Sequence, residues 1–143
     1  MAAKVFIDTW GWIVLRNKRE PAHAEIEEWY RNFRQSGKGP VYTSDYVLDE
    51  TYTLLFRHLP FAQARESVKY LDDAINQGYL ILESVNLKRF DAAKSYRLKF
   101  DDKPKISFTD FTSMAIMRGL GISEILTNDD HFLQVGMGFK LIP

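Results

Sequence analysis

Val5-Phe6-Ile7-Asp8 is the stretch on which the fold of this chain turns: a short apolar run, β-branched and aromatic, ended by a carboxylate. Continuous apolar character without alternation is what a strand buried on both faces requires, and such strands belong to parallel sheets covered by helices. Asp8 then falls at the carboxyl end of its strand. That edge is where open α/β sheets bind their ligands. Glu124-Ile125-Leu126-Thr127 repeats the pattern far along the chain, and Asp129 follows it. Glu50 and Asp110 fall near the starts of segments with helical spacing, where unpaired backbone N–H groups favour a carboxylate that can also point back into a cleft. Four distant acids thus converge on one end of one sheet, a pattern that points to a divalent-metal site.

Outward from the first strand, Thr9 to Leu15 mixes aromatic and aliphatic residues with no polar face, as a helix packed on a sheet does. From Ala22 to Arg34, the residues Ala22, Ile26, Trp29, Tyr30 and Phe33 fall on one helical face, with Pro21 suited to its first turn. Val41 to Thr43 reads as a second strand, after which Ser44 or Asp45 caps a helix through Phe56 with Val47, Leu48, Thr51, Leu54 and Leu55 inward. Phe61 to Asn76 is another helix, with Ala64, Val68, Leu71 and Ile75 on its stripe and Gly78 beyond its end. Tyr79 to Val85 reads as a buried strand or its edge neighbour, Leu87 to Leu98 as a helix, and Asp101 to Lys105 as a charged loop. Thr109 to Arg118 is helical, and Glu124 to Leu126 and Phe139 to Ile142 are the last strands. Strands separated by helices give a parallel sheet of four to five strands covered on both faces, in one domain over residues 1–143.

Composition bounds the function. The chain has 45% hydrophobic residues, enough for one core without staples, and no cysteine, so disulfides and thiolate ligands are excluded. No basic start followed by an apolar leader is visible, and no run approaches the roughly 20 apolar residues of a membrane span. The expected location is the cytoplasm, with no membrane contact. Nineteen basic residues balance nineteen acidic ones, so bulk charge does not announce a nucleic-acid binder. If the four carboxylates share one site, the remaining surface is net basic, and a bound cation reverses the local sign met by a phosphate.

Val5-Phe6-Ile7-Asp8-Thr9, Val47-Leu48-Asp49-Glu50, Ser107-Phe108-Thr109-Asp110-Phe111-Thr112-Ser113 and Leu126-Thr127-Asn128-Asp129-Asp130-His131-Phe132 together resemble the PIN-domain nucleases, in the correct order and over nearly the whole chain. The resemblance implies a PIN-like three-layer α/β fold and a Mg²⁺- or Mn²⁺-dependent endoribonuclease of the VapC-like kind, the toxin of a toxin–antitoxin pair. It makes Asp8, Glu50, Asp110 and Asp129 the acidic quartet that holds metal and catalyses hydrolysis of an RNA phosphodiester. Thr9, and more remotely Ser113, would place a hydroxyl beside the scissile phosphate. It also implies a cognate antitoxin that blocks the groove with a basic side chain, and a homodimer. The chain departs from the commonest pattern in Trp10 and Trp12, where smaller residues often follow the first acid.

Oxygen ligands suit Mg²⁺, which keeps several waters and takes one or two carboxylates directly. Asp8 with Asp110 or Asp129 is the expected direct pair, the other acids holding bound water; a two-ion site would use all four. His23, His58 and His131 have no partner at i+3 or i+4, so zinc is not indicated, and His131 stands near enough to touch phosphate. Trp10 and Trp12 can stack on bases or, the favoured reading, pack in the core. Arg16, Lys18 and Arg19, and Lys99, Lys103 and Lys105, are candidate guides for an RNA backbone, although such clusters are usually solvated loops. Each acid also has a structural alternative: Asp8 as a helix cap, Glu50 as a solvated helix charge, Asp110 as a first-turn charge, Asp129 as a turn residue. The competing function is a non-catalytic PIN-like module that holds RNA or protein. A phosphoacceptor receiver domain needs an Asp after the third strand, where Glu83-Ser84-Val85 has none.

Overall fold

A computed structural model describes residues 4–143. Its strands are β1 (Val5–Ile7), β2 (Val41–Ser44), β3 (Leu80–Glu83), β4 (Glu124–Leu126) and β5 (Lys140–Ile142), and they form one parallel sheet in the order β3-β2-β1-β4-β5. The helices are α1 (Thr9–Arg16), α2 (His23–Gln35), α3 (Asp45–His58), α4 (Phe61–Asn76), α5 (Leu87–Lys99), α6 (Phe108–Leu120) and α7 (His131–Gln134). Right-handed crossovers put the helices that lead outward from β1 to β2 and β3 on one face and those after β3 on the other. The contacts follow suit: α1 packs on α2 and α3, α3 on α4, and α5 on α6. This is the three-layer α/β architecture that the sequence implies.

Strand β1 is central and fully buried, as its unbroken apolar run requires. The strand order reverses beside it, because the chain leaves β1 toward β2 and returns from β3 to β4 on the other side. Ile7 pairs with Leu126, so the residues after both strands emerge side by side at that switch point. One polar stitch ties three elements together here: Trp12 Nε1 donates to Thr43 Oγ1 at 3.1 Å, and Thr43 Oγ1 donates to the Ile7 carbonyl at 2.9 Å. Trp12 is fully buried, so of the readings open to it the core one holds, and base stacking does not.

Helix starts follow local chemistry. Ser44 caps α3 by accepting from the Val47 N–H, Asn86 caps α5 through the Arg89 N–H, and Ser107 caps α6 through the Asp110 N–H. Gly121 closes α6 in the left-handed region at φ 70°. The buried stripe of α4 is Ala64, Ser67, Leu71 and Ala74, rotated from the expected one because Ser67 can turn inward with its hydroxyl satisfied by the Gln63 carbonyl. Strand β3 is shorter than Tyr79–Val85 and lies at the sheet edge, with Leu82 exposed. After Asp130 the chain makes a one-turn helix where the sequence shows only a turn.

Arg97 fixes the approach to α6. Its Nη1 donates to the Ile106 carbonyl and its Nη2 to the Phe100 and Lys103 carbonyls, each at 2.7 Å, while its guanidinium lies 4.8 Å from the Phe111 ring centroid. The charged loop before α6 is therefore pinned, and with it the register that places Asp110.

Gly11 lets α1 sit directly on the sheet. A Cβ there would come within 2.8 Å of Ile7 Cγ2 and 3.1 Å of Leu126 Cδ2, both in fully buried side chains. Replacing Gly11 by Ala gains about 0.5–1 kcal/mol in helix propensity, but overpacking costs about 1–3 kcal/mol. Gly11→Ala is therefore expected to lower the urea midpoint at unchanged m value; a raised midpoint would show that α1 can lift off without loss.

Candidate active site

The switch point delivers the first two acids. The Asp8 N–H donates to the Leu126 carbonyl at 3.2 Å, extending the β1–β4 pairing by one residue. Thr127, the first residue after β4, donates from Oγ1 to Asp8 Oδ2 at 2.9 Å, and the same oxygen accepts the Asp129 N–H at 3.1 Å. One hydroxyl thus orients the first carboxylate and the loop that carries the last. Asp8 stands at the N-cap position of α1, yet its side chain makes no capping hydrogen bond. The carboxylate faces the site instead.

The remaining acids come from helices. Glu50, on the second turn of α3, accepts at Oε1 from Thr9 Oγ1 at 2.9 Å. Thr9 is occupied in positioning Glu50. Asp110 lies in the first turn of α6 and is buried, and its N–H is taken by the Ser107 cap. Asp129 Oδ1 accepts the His131 N–H at 2.9 Å, a tight turn that folds the His131 ring back toward the acids.

Asp8 and Asp110 both resist ionisation. Burial pushes the Asp8 carboxyl up to about 6, with the charges of Glu50 and Asp129 adding to it, against the pull of hydrogen bonds from the Thr9 N–H and Thr127. Asp110 is raised by burial first, then by Asp8, Asp129 and Glu50, and it lies close enough to Asp129 to share a proton. The four acids feel one another as a single cluster. The tightest set is Asp110, Asp129 and His131, each offering an atom within 4.8 Å of the other two. His131 Nδ1 lies 3.0 Å from Asp129 Oδ1 and 3.6 Å from Asp110 Oδ2, but without the alignment of a hydrogen bond, and finds no other partner. Crowded oxygens, raised carboxyls and a buried ring nitrogen beside them form a donor set that fits a divalent cation.

The family model of the PIN domain matches residues 5–137 of this chain. The chain belongs to the PIN-domain family. It is 30% identical over 134 residues to the 23S rRNA-specific endonuclease VapC20 of Mycobacterium tuberculosis, covering 92% of this chain and 94% of that protein. The crystal structure of VapC20, described as a Sarcin-Ricin loop cleaving toxin, superposes with a TM-score of 0.77 at 28% identity, covering 92% of this chain and 95% of that one. DNA-bound VapBC from Salmonella typhimurium shares the fold, with a TM-score of 0.68 at 17% identity over 98% and 97% of the two chains.

Within this PIN domain, His131 takes a larger place than its sequence gives it. The signal was its position two residues after Asp129, where an Asp side chain commonly receives a main-chain N–H. Ser113 is fully buried one turn beyond Asp110, and its hydroxyl has no partner among the described residues. Trp10 is half-buried against the core. His23 is structural: Nδ1 contacts the Val14 carbonyl at 2.7 Å and Nε2 lies 3.1 Å from Glu27. No helix of the described residues is long and apolar enough to cross a membrane.

The raised carboxyls set a pH dependence for the metal-free protein. Asp8 prefers its proton in the folded state, so its contribution to stability is complete below the unfolded value near 4 and is lost as pH rises through about 6. Asp110 acts in the same direction. Chemical denaturation in EDTA should show stability falling from pH 4 to pH 8, and Asp8→Asn should recover about 2–3 kcal/mol at the upper end. A flat profile that Asp8→Asn leaves unchanged would mean that these carboxyls are not electrostatically strained.

Proposed function

We propose that this PIN domain is a divalent-cation-dependent endoribonuclease and the toxin of a toxin–antitoxin pair. The observation that carries the reading is the gathering of Asp8, Glu50, Asp110 and Asp129 at the switch point, where burial and mutual repulsion raise the carboxyls of Asp8 and Asp110 and a cation would relieve both. Thirty per cent identity to a 23S rRNA-specific endonuclease supports the same substrate class. Asp110 and Asp129 are the proposed direct ligands of Mg²⁺ or Mn²⁺, with Asp8 and Glu50 orienting the waters that such ions retain. When bound, the cation supplies Lewis acidity at the phosphate and a water acidified toward neutrality.

The chain's own groups do the positioning. Thr127 holds Asp8 and the Asp129 loop in one register, so a water hydrogen-bonded to Asp8 keeps a fixed line of approach. Thr9 restrains Glu50, which is placed to accept the proton that such a water gives up. Asp110 and Asp129 alone would repel the charge that accumulates on the phosphate oxygens, so stabilising it falls to the cation they would hold.

As a toxin, the protein would be restrained by an antitoxin that places a basic side chain among the carboxylates, the one charge able to stand in for the cation. Self-association into a homodimer is part of the same proposal, and light scattering tests it. A non-catalytic RNA- or protein-holding module is the second reading. It leaves four mutually repelling carboxylates without a task.

One assay separates the two. Incubated with 23S rRNA and Mg²⁺ or Mn²⁺, the protein should release discrete fragments, and EDTA should stop the reaction. Asp110→Asn should lower kcat on the order of 100-fold or more, the scale seen when groups around a metal are removed. RNA left intact by well-folded wild type across both ions would favour the binding module.

A further inference from the structure

A cavity of about 440 Å³ lies where the ends of α1 and α3 meet the first turns of α4, and Arg16, Lys18, Arg19 and His58 line it. Arg16 is fixed in place. Its Nε donates to Ser67 Oγ at 3.0 Å, and its guanidinium carbon lies 4.3 Å from the Tyr70 ring centroid. Its terminal nitrogens make no hydrogen bond to a described residue, and among the described residues no carboxylate lies within 4.0 Å of Arg16, Lys18 or Arg19. Glu66 also lines the cavity but pairs with none of them. A guanidinium already oriented and lacking a counter-ion is set up for an anion, and its planar fork matches a phosphate.

The cavity is joined to the carboxylates by helix geometry. Thr9, Ile13 and Arg16 follow i, i+4, i+7 spacing down one stripe of α1, and Glu50, Leu54 and His58 follow i, i+4, i+8 spacing down one stripe of α3. The stripes meet at the top through the Thr9–Glu50 hydrogen bond and at the bottom around the shared cavity. The two helices therefore run side by side, separated over about 10 Å of helix length by half-buried Ile13 and Leu54. One end of this track suits a cation with its phosphate, the other a bare phosphate. A ligand that repeats phosphates along its length satisfies both ends; an acidic peptide meets repulsion at the first.

We propose that the Arg16–Arg19–His58 cavity is a phosphate subsite for the RNA strand, holding a phosphodiester a few nucleotides from the one that is cut. The proposal rests on the endoribonuclease reading above and adds the path of the substrate. Arg16 is a positioning residue: it grips the strand and touches no reacting atom.

The test uses the full chain with Arg16→Gln, Arg16→Lys and the double variant Lys18→Gln/Arg19→Gln, whose exposed side chains can change without disturbing the core. Cleavage of 23S rRNA and anisotropy of a labelled RNA with Ca²⁺ in place of Mg²⁺ are read in parallel. KM and Kd should rise about 5- to 20-fold, with the change falling on KM rather than kcat, and the loss should shrink on a trinucleotide. The slope of log Kd against log salt should fall by about 0.7 for each phosphate contact removed. Arg16→Lys should rescue only in part, since it keeps the charge but not the fork. An unchanged KM, Kd and salt slope in the folded double variant overturns the proposal. So does intact RNA binding alongside weakened binding of an acidic protein partner. Should wild type fail to cut RNA while the variants still lose RNA affinity, the nuclease reading falls and the subsite stands.

Discussion

Repulsion among Asp8, Glu50, Asp110 and Asp129 is the constraint around which the rest of this PIN domain is arranged. Two unit charges some 4 Å apart interact by about 4 kcal/mol at the effective dielectric of a protein, so a cluster of four cannot stay fully ionised without help. The surrounding residues answer that need with donors: the Thr127 hydroxyl to Asp8, the Thr9 hydroxyl to Glu50 and the His131 N–H to Asp129. Even so, the donors relieve only part of the strain. Burial still dominates at Asp8 and Asp110.

The parts of this arrangement set by local pattern could be read from the chain itself. Val5-Phe6-Ile7 has to be a buried strand because nothing in it tolerates water, and Asp8 then has to lie at a strand end. The start of α3 is legible as Ser44 or Asp45, and the Val47 N–H bond decides for Ser44. What depended on register could not be read: Thr127 reaches Asp8 only because Ile7 pairs with Leu126, a relation across most of the chain. His131 is legible as a residue near the site, but its place in the Asp110–Asp129 cluster is not, for a different reason. Metal-ligating histidines are recognised by helical spacing, whereas this ring is brought to Asp110 and Asp129 by a turn two residues long. Arg16 is legible as one of a basic cluster that could guide an RNA backbone, but not as a fixed guanidinium, since its anchors, Ser67 and Tyr70, lie on α4.

On the proposed reading, the same geometry separates catalysis from recognition. The groups that orient the carboxylates come from the sheet edge, the first turn of α1 and the turn between β4 and α7, where backbone pairing leaves little freedom. The basic side chains of the cavity sit at the far ends of α1 and α3 and on the loop that follows α1. Substitution there alters what is gripped without moving what reacts, as in other folds where rigid elements carry the chemistry and loops adapt to the ligand.

Net neutrality conceals this division. Nineteen positive and nineteen negative side chains cancel in sum, yet along one pair of helices they are sorted into an acidic end and a basic end. In the metal-free protein a polyphosphate strand is attracted at one end and repelled at the other. On the proposed reading, a divalent cation held by Asp110 and Asp129 would remove the repulsion and turn the whole track favourable. Metal and RNA therefore need not touch the same atoms to assist each other, because each neutralises a charge that the other would otherwise have to face, and thermodynamic linkage makes that assistance mutual. Specificity for a polyanion can then arise in a protein whose total charge gives no hint of it.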